Sequence, residues 1–336
     1  IHLFIYMIKS KPNLQSILNY NKKSLTVILR RGGFTESIHK VHAVICDSKD
    51  RVLIYSGDPI YQTFIRSALK PFQVLPFISS GAYQVNNTGE KGLAIASGSH
   101  IGSTKHAREA FKILWNSEVD ISSLKCPTPT NNFSPLQHNC SGKHAAFLST
   151  CKKMNWTLGN YLKEDHPIQI EIRRRISEIL EVPEDELIVS KDDCGAPTLL
   201  LQLKQMATLY ANLSFSNNSD LEQIRRSMIK YPELISGDGC FDTELMKRSH
   251  GQLISKGGSE GIQCIAKVGD GLGLAIKVED GSKRAKHAAA IHLLNQLEWL
   301  TPIALQELKE STIHLRPNVE LSVNGELEFQ ESIKSP

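Results

Sequence analysis

Serine and lysine, which can act together as a nucleophile and its base, occur in this sequence at a spacing that suits catalysis. Ser67 and Lys70 are three positions apart, so on a helix their side chains share a face and the amine can reach the hydroxyl. A serine hydroxyl becomes a good nucleophile when a base removes its proton. Lysine can be that base when burial or a neighbouring cation lowers its pKa. The pair therefore predicts an activated serine at the start of a helix.

The spacing alone has little specificity, because Ser-x-x-Lys also begins at positions 37, 122, 149 and 227, where a coincidence on a helix face explains it equally well. Two further elements favour the copy at Ser67. Ser99 lies in a glycine-containing turn after an apolar run, and Lys256 precedes two glycines. The Lys-Gly-Gly sequence resembles the Lys-Thr-Gly element of serine β-lactamases. A second serine and lysine are thus available for one pocket, although a turn residue and a surface lysine explain the same positions.

A separate group of residues has side chains that zinc prefers. Cys140 and Cys194 are accompanied by His138, His144 and Asp192. Thiolates and imidazoles are the usual ligands of protein-bound zinc. The spacing is not that of a zinc finger, and two buried thiols or one disulfide are the alternatives. From ligand chemistry alone, we expect the two cysteines and a histidine to bind the metal, rather than a lysine.

Six sequence stretches that contain these residues occur in a fixed order between about residues 32 and 285. Together they resemble the L-asparaginase II family, the type first associated with rhizobia. The stretches are RSALKPFQ (66–73), SHIG (99–102), NCSGKHA (139–145), CGAPT (194–198), SGDG (236–239) leading into DTELM (242–246), and KGGSEG (256–261).

The resemblance implies a fold, a reaction and an assembly. The fold is α/β (α+β) and similar to that of serine β-lactamases, the reaction is hydrolysis of L-asparagine to L-aspartate and ammonia, and the assembly is a homodimer. It also implies two Ser–Lys tandems, Ser67 with Lys70 and Ser99 with Lys256. We expect Ser67 to attack the amide carbon while Lys70 takes its proton. Ser99 and Lys256 would then relay protons or position the substrate.

The zinc site that the resemblance implies is formed by Cys140, Lys143 and Cys194. Its lysine differs from the histidine that ligand chemistry favours, but a neutral amine is a ligand once its proton is displaced. Asp192 matches a carboxylate that supports the site, and we expect His100 and Asp192 to contact the substrate. Three residues depart from the family pattern and affect substrate preference and metal affinity: Ser103, Asp193 and Cys240.

Composition excludes several other classes of protein. The 336 residues carry a formal net charge of only +4, without a basic–aromatic stripe, so we expect no nucleic-acid partner. The apolar stretches are too short to span a membrane. The seven cysteines are an odd number and are scattered, which is typical of reduced thiols in a cytoplasmic protein. Residues 1–23 are expected to be a poorly ordered tail without a targeting role, with Met7 as the true start.

The order of the predicted elements favours one α+β domain over residues 24–300. Strands cluster near both ends of the chain and helices occupy the middle, which predicts an antiparallel sheet assembled from both ends. Residues 93–97 are predicted as a buried strand and residues 196–209 as a helix. Residues 301–336 are expected to pack on the domain as a tail, with an edge hairpin over 319–329 around Asn324 and Gly325.

Two other functions fit the same motifs. One is a β-lactam or peptide hydrolase of the Ser-x-x-Lys class, whose cell-wall substrates lie outside the cytosol. The other is a zinc-binding protein that keeps the fold without catalysis. Ammonia release from asparagine separates the proposed enzyme from both, and nitrocefin turnover would identify a lactamase.

Overall fold

The computed structural model describes residues 23–128 and 134–329, so the expected tail, apart from its last residue, and Met7 lie outside the described residues. Within these ranges, an eight-stranded antiparallel sheet has the order β10-β1-β2-β9-β8-β7, with β3 pairing both β2 and β11. A small second sheet has the order β4-β6-β5. The strands are β1 (Leu25–Arg31), β2 (Phe34–Asp47), β3 (Val52–Ser56), β4 (Gln62–Phe64), β5 (Ile188–Lys191), β6 (Pro197–Gln202), β7 (Leu253–Gly258), β8 (Ile262–Lys267), β9 (Leu272–Val278), β10 (Val319–Asn324) and β11 (Glu328–Phe329).

Helices cover both faces of the large sheet. Side chains alternate along β2: Val44 and Cys46 join the core beneath the central helices, whereas Ala43 and Ile45 join the core on the opposite face. A 3₁₀ turn, Arg66–Leu69, precedes the first helix. The α-helices are α1 (Lys70–Gln73), α2 (Leu75–Ser79), α3 (Ala82–Asn86), α4 (Gly89–Ser97), α5 (Thr104–Asn116), α6 (Ser141–Lys153), α7 (Pro167–Leu180), α8 (Leu203–Ser214), α9 (Ser219–Lys230), α10 (Phe241–Arg248), α11 (Lys283–Gln296) and α12 (Pro302–Thr312).

The expected α/β class and the antiparallel sheet built from both ends of the chain are confirmed. Helix α8 packs across β9, β2 and β8 on one face, while α11 packs on β9 and β1 on the other. The C-terminal part continues this architecture, since α12 packs on α10 and α11 and β10 pairs with β1. Throughout the described ranges, no helix has the length and apolar character needed to cross a membrane.

Two predicted elements are wrong in type. Residues 93–97, predicted as a strand, form the end of helix α4. A short apolar run fits a buried helix and a buried strand equally well, and α4 is enclosed by α5, α6 and α9. Residues 197–202, predicted as the start of a helix, form strand β6 because it pairs with β4 and β5 at once. Tertiary pairing thus overrides the local helical pattern.

The predicted hairpin over residues 319–329 is also wrong. Strand β10 pairs with β1 and β11 pairs with β3, so the two segments do not pair with each other. The long strand β2 places β1 and β3 one after the other along the same edge. The chain turns at Gly325, whose φ is 98°, and then continues along this edge. The Asn-Gly sequence marks a turn, but the sheet edge decides the strand partners.

Candidate functional site

Lys70 and Ser99 form the centre of the candidate site. Lys70, on α1, is completely buried, and its Nζ lies 2.8 Å from Ser99 Oγ. The same Nζ donates to the carbonyl oxygens of Gly98 at 2.8 Å and Asn139 at 3.0 Å. Ser99 follows α4, and its N–H donates to Ile235 O at 2.6 Å, which holds the turn in place. The structure therefore joins a serine and a lysine that belong to different predicted tandems.

The surroundings of Lys70 favour its neutral form. Burial lowers the pKa of Lys70, and the nearby Lys143 lowers it further, although Cys140 and Cys194 oppose this shift. A neutral amine has two N–H groups and one lone pair. Two carbonyl oxygens accept the N–H groups, so the lone pair can accept the Ser99 hydroxyl proton. Lys70 is thus placed as a base within reach of a serine.

Ser67 lies one turn before Lys70, at the start of the 3₁₀ turn. Its side chain is partly exposed and makes no hydrogen bond within the described ranges. Arg66, the preceding residue, has a φ of 54°, a conformation that non-glycine residues rarely adopt and that is often found at active sites. Strand β7 approaches this backbone closely, since a Cβ on Gly258 would lie 2.9 Å from Ile65 O. The nucleophile predicted from the sequence is therefore accessible, while Lys70 is bonded to Ser99.

Lys256 lies in the middle of β7 and is completely buried. It is paired with Cys264 of β8, and cross-strand neighbours share a face, so its side chain points towards the helical layer that contains Lys70. Burial, with Lys70 and Lys286 nearby, lowers the pKa of Lys256 to about 7, although Asp242 opposes the shift. Lys256 can therefore exchange protons near neutral pH, as a general acid or base must.

A buried charged cluster behind β7 was not assigned a role from the sequence. Asp242 Oδ1 accepts hydrogen bonds from Ser255 at 2.7 Å and Gln263 at 2.8 Å, and its Oδ2 accepts from Gly257 N at 2.9 Å. Burial raises the pKa of this carboxyl, but Lys256, Lys286 and the hydrogen bonds outweigh it and lower the pKa to about 2. Asp242 begins the DTELM stretch (242–246), so the sequence motif did point to this carboxylate. Lys286 is on α11, which lies outside the six family motifs.

The predicted zinc ligands are brought together at the start of α6. Lys143 Nζ donates to Cys194 Sγ at 3.3 Å, and both cysteines are buried. A hydrogen bond from the Cys140 thiol, together with Lys143, lowers the pKa of Cys194, whereas the pKa of Cys140 is raised. His144 is also buried, and its Nδ1 lies 2.7 Å from the Tyr161 hydroxyl. Lys143 and Cys194 are therefore in contact, and Cys140 and His144 interact electrostatically with Cys194.

Cys140, Cys194 and His144 are residue types that bind zinc. Within the described ranges, however, no three His, Cys, Asp or Glu side chains are placed to hold a metal, so these three do not form such a group, and Lys143 is not one of these types. His144 Nε2 is buried without a hydrogen-bond partner, as a ligand atom awaiting a metal would be. Burial lowers the pKa of His144 to about 4, so its imidazole is neutral at pH 7. Lys143 would have to lose a proton that Cys194, Cys140 and Asp192 stabilise.

The two residues predicted to contact the substrate are held by protein groups. Asp192 Oδ1 accepts a hydrogen bond from Arg66 Nε at 2.7 Å, which fixes the backbone immediately before Ser67. His100 is buried; its Nδ1 accepts from Gly102 N at 3.2 Å, so its Nε2 can donate to Ser141 Oγ, 3.0 Å away. Both residues position the Ser67 and Ser99 turns, and direct contact with a substrate stays a prediction.

The departures from the family pattern have local structural roles. Ser103 caps α5 by accepting a hydrogen bond from His106 N at 3.4 Å, and its Oγ lies 2.7 Å from His106 Nδ1. Asp193 is exposed and forms an ion pair with Arg66, beside the bond from Arg66 to Asp192. Cys240 is half-buried and directly precedes α10. None of the three replaces a member of either Ser–Lys tandem.

Comparisons with known proteins identify the family of the chain. A model of the L-asparaginase II family matches residues 27–329. The comparison with curated proteins gives no match. Among solved structures, the chain is similar to Mglu in its native form, with 12% identity, a TM-score of 0.46, and coverage of 77% of this chain and 64% of that one. The chain thus spans about 64% of the length of Mglu.

Two further structures are similar at a lower level. A Bacillus glutaminase in the presence of 4.3 M NaCl has 10% identity and a TM-score of 0.38, covering 77% of this chain and 91% of that one. A β-lactamase from Mycobacterium bovis has 10% identity and a TM-score of 0.38, covering 89% and 99%. These values are too low to transfer a substrate. The family match instead spans the Ser–Lys tandems, the cysteine site, α12 and β10. The chain therefore belongs to the L-asparaginase II family.

Proposed function

We propose that the protein hydrolyses L-asparagine to L-aspartate and ammonia. The observation that carries this proposal is the buried Lys70 amine, 2.8 Å from Ser99 Oγ and one turn after Ser67, in a chain of the L-asparaginase II family. Lys256, with a pKa of about 7, supplies a second group that can exchange protons at neutral pH. Two hydroxyls and two lysines with lowered pKa values suit attack on an amide and protonation of its leaving group.

In the proposed reaction, Ser67 Oγ attacks the side-chain amide carbon and its proton passes to neutral Lys70. Ser99, already bonded to Lys70, provides a path for this proton. As the tetrahedral intermediate breaks its C–N bond, the leaving nitrogen takes a proton from protonated Lys70, directly or relayed through neutral Lys256, and departs as ammonia. Water then attacks the ester on Ser67, and aspartate leaves as the serine regains its proton. Backbone N–H groups at the start of the Ser67 turn are suited to stabilise the oxyanion.

The proposal includes one zinc ion per chain beside the catalytic residues. Cys140, Cys194 and Lys143 would hold it, with His144 as the alternative to Lys143. When bound, zinc would supply a positive charge that orders the pocket and polarises a substrate oxygen. Arg66 and Asp192 hold the Ser67 turn independently of the metal, through a hydrogen bond of 2.7 Å.

We further propose that the enzyme acts in the cytoplasm as a homodimer. All seven cysteines are free thiols, which agrees with a reducing compartment. Light scattering coupled to size-exclusion chromatography gives the mass of the assembly directly, and a monomeric mass would contradict the dimer.

An ammonia-release assay with the purified, zinc-loaded protein tests the proposed substrate. Asparagine is compared with glutamine, β-aspartyl dipeptides and nitrocefin, and the Lys70→Met variant provides the blank. We expect ammonia from asparagine at a rate that the variant lacks. Preferred turnover of glutamine or a dipeptide would replace the proposed substrate within the amidohydrolase class. Nitrocefin turnover without ammonia release would identify a β-lactam hydrolase, and inactivity on all four would favour a non-catalytic zinc protein.

A further inference from the structure

A groove with a strongly basic lining lies at the N-terminus of α11, on the opposite side of the sheet from the Ser–Lys site. Its volume is about 560 Å³, which is within the range of small-molecule sites. The described residues that line it include no carboxylate. Its basic residues are Arg31, Lys283, Arg284, His287, His314 and Arg316.

Several of these groups have no hydrogen-bond or ion-pair partner among the residues that the structure describes. Arg31 pairs with Glu36 at 3.0 Å, and Arg284 donates to Ser37 at 2.8 Å. In contrast, the side chains of Lys283, His314 and Arg316 make no hydrogen bond or ion pair within residues 23–128 and 134–329. An uncompensated group of cations around one cavity has a field that favours an anion.

His287 is the most informative residue of this groove. It is only 7% exposed, yet it lines the cavity, and its ring nitrogens have no hydrogen-bond partner among the described residues. Its ring stacks on Phe241, with centroids 4.4 Å apart, so its orientation is fixed. Burial, with Lys286 and Lys283 nearby, lowers the pKa of His287 to about 3, so the imidazole is a neutral hydrogen-bond donor at pH 7. The ring nitrogens are not among the fully enclosed polar atoms that lack a partner, so a ligand in the groove can reach them.

The N-terminus of α11 adds backbone donors to the same place. The helix is 14 residues long, and Ser282 accepts a hydrogen bond from Ala285 N at its start. Its first turn contains Lys283 and Arg284 and no acidic residue. Cations at a helix N-terminus are unfavourable, whereas an anion there is stabilised by the free N–H groups and the helix dipole. Lys283 and His287 are four residues apart and therefore share one face of the helix.

The other side of the groove is apolar, since Leu29, Ile313, Leu315 and Val319 line it. An inorganic ion would leave this surface uncovered, while an organic phosphate would cover both parts. We propose that the groove binds a small organic phosphate, with its phosphate group at the start of α11 beside Lys283 and His287 and its organic part against the apolar wall. Arg316 neutralises a second negative charge of the ligand.

Isothermal titration calorimetry on the full chain tests the proposal with three probes at constant ionic strength. Adenosine monophosphate represents the organic phosphate, pyrophosphate the anion without an organic part, and adenosine the organic part without charge. We expect the nucleotide to bind most tightly and adenosine not to bind. Poly-glutamate that binds more tightly than the nucleotide would show that the groove takes an acidic peptide instead. Failure of both phosphate probes to bind would also overturn the proposal.

Matched variants separate a built site from general attraction of anions. The test variant combines Lys283→Gln with Arg316→Gln, and the control combines Lys152→Gln with Lys153→Gln, two exposed lysines elsewhere that change the charge equally. We expect the test variant to weaken nucleotide binding at least about tenfold and the control to leave it unchanged. If nucleotide binding weakened equally in both variants, the effect would be non-specific attraction of anions, and the proposed site would be wrong.

His287→Phe keeps a ring that can stack on Phe241 but removes the N–H groups. We expect it to weaken nucleotide binding while the circular dichroism spectrum and melting temperature show that the fold is kept. Unchanged affinity in this variant would exclude His287 as a ligand-binding residue and overturn the proposed position of the phosphate. A dimeric mass that becomes monomeric in the Lys283→Gln, Arg316→Gln variant would show that a second copy of the chain occupies the groove.

Discussion

At the scale of single residues, Lys70 lies close in sequence to one of the two serines predicted to be catalytic and contacts the other. Its amine is buried, two of its three hydrogen bonds go to carbonyl oxygens, and the third is with Ser99. Ser67 lies one turn away and keeps an accessible hydroxyl. Lys70 is therefore in contact with Ser99 alone of the two serines, and removal of a proton from Ser67 by Lys70 stays a prediction. Because the Ser67 hydroxyl is accessible, Ser67 is the favoured nucleophile. The hydrogen bond between Ser99 and Lys70 favours Ser99 as the proton relay.

The first prediction identifies the nucleophile. Ser67→Ala should lower asparagine turnover by about 10⁴-fold or more, since the attacking group is lost, and the Ser67→Ala, Lys70→Met double variant should be no worse. Mass spectrometry after rapid acid quenching should find the acyl group on the peptide that contains Ser67. Ser122→Ala is the matched control, because this serine also begins a Ser-x-x-Lys sequence but is exposed. An acyl group on Ser99, or an active Ser67→Ala variant, would move the nucleophile to Ser99.

The second prediction concerns the third zinc ligand. Metal analysis of the purified protein should find about one zinc per chain, and Cys140→Ala or Cys194→Ala should remove it. Lys143→Ala should weaken zinc binding more than His144→Ala does, as measured by competition with a chelator. The reverse order would show that the unpartnered His144 Nε2 is the ligand and that Lys143 only balances the charge of Cys194. Full activity without metal would reduce the site to two buried thiols.

At the scale of elements, charged side chains lie next to both faces of strand β7. Lys256 points to the catalytic side, while Asp242 of α10 and Lys286 of α11 meet behind the strand. The two groups act on Lys256 in opposite directions: Asp242 raises its pKa and Lys286 lowers it. Side chains of α10 and α11 therefore adjust the pH at which the buried Lys256 becomes neutral.

The third prediction follows from these opposite effects. If neutral Lys256 is needed, kcat/KM should rise with pH through about 7, the pKa of Lys256. Lys286→Met removes a cation, raises the pKa of Lys256 and should move this limb to higher pH by about 1 unit. Asp242→Asn removes an anion and should move the limb to lower pH. Measuring kcat/KM against pH for the three proteins gives both shifts.

The control for this pH experiment is Lys247→Met. Lys247 belongs to α10, like Asp242, but its side chain points outwards to Asp238. It changes the net charge as Lys286→Met does, so its profile should match that of the unsubstituted protein. Identical midpoints in all variants would assign the limb to a group other than Lys256, with Lys70 as the next candidate.

At the scale of the whole molecule, the site depends on how closely the helical layer approaches the sheet. Helix α8 crosses β9 at Gly273, where a Cβ would lie 2.0 Å from Ala207 O and 2.5 Å from Ala211 N. This contact sets the distance between the sheet, which carries Lys256, and the helices, which carry Lys70 and Ser99. The backbone of α8 cannot yield without moving its neighbours, because protein interiors are closely packed.

The fourth prediction tests this packing. Gly273→Ala should destabilise the protein by about 3 kcal/mol, at the upper end of the range for overpacked cores, because the added methyl group meets backbone rather than a flexible side chain. Chemical denaturation measures the change in the free energy of unfolding. Gly159→Ala is the control, since Gly159 is exposed and its added Cβ would meet only Thr157 Oγ1 at 3.8 Å. If Gly273→Ala and Gly159→Ala had the same free energy of unfolding, α8 could move away from β9 without loss of stability.

Much of the local structure could be read from the sequence. The sequence of helix α7 has apolar residues at helical spacing, and the hairpin of β8 and β9 follows from alternating apolar residues between turn signals. The family is recognisable because short motifs keep their residue types and order. The errors fall where a local pattern is ambiguous, as in α4, or where strand partners come from distant parts of the chain, as in β6 and β10.

The sequence by itself determined the family and the candidate residues for its chemistry: two serines, two lysines and two cysteines in recognisable motifs. Only the tertiary structure decided which of them are paired. Lys70 contacts Ser99, 29 positions away, because α4 ends against the Ile235 backbone and turns Ser99 towards it. The structure also placed Asp242 and Lys286 behind Lys256. Hydrogen bonds and pKa shifts depend on distances of a few ångströms, and distant segments reach such distances only when the whole core packs.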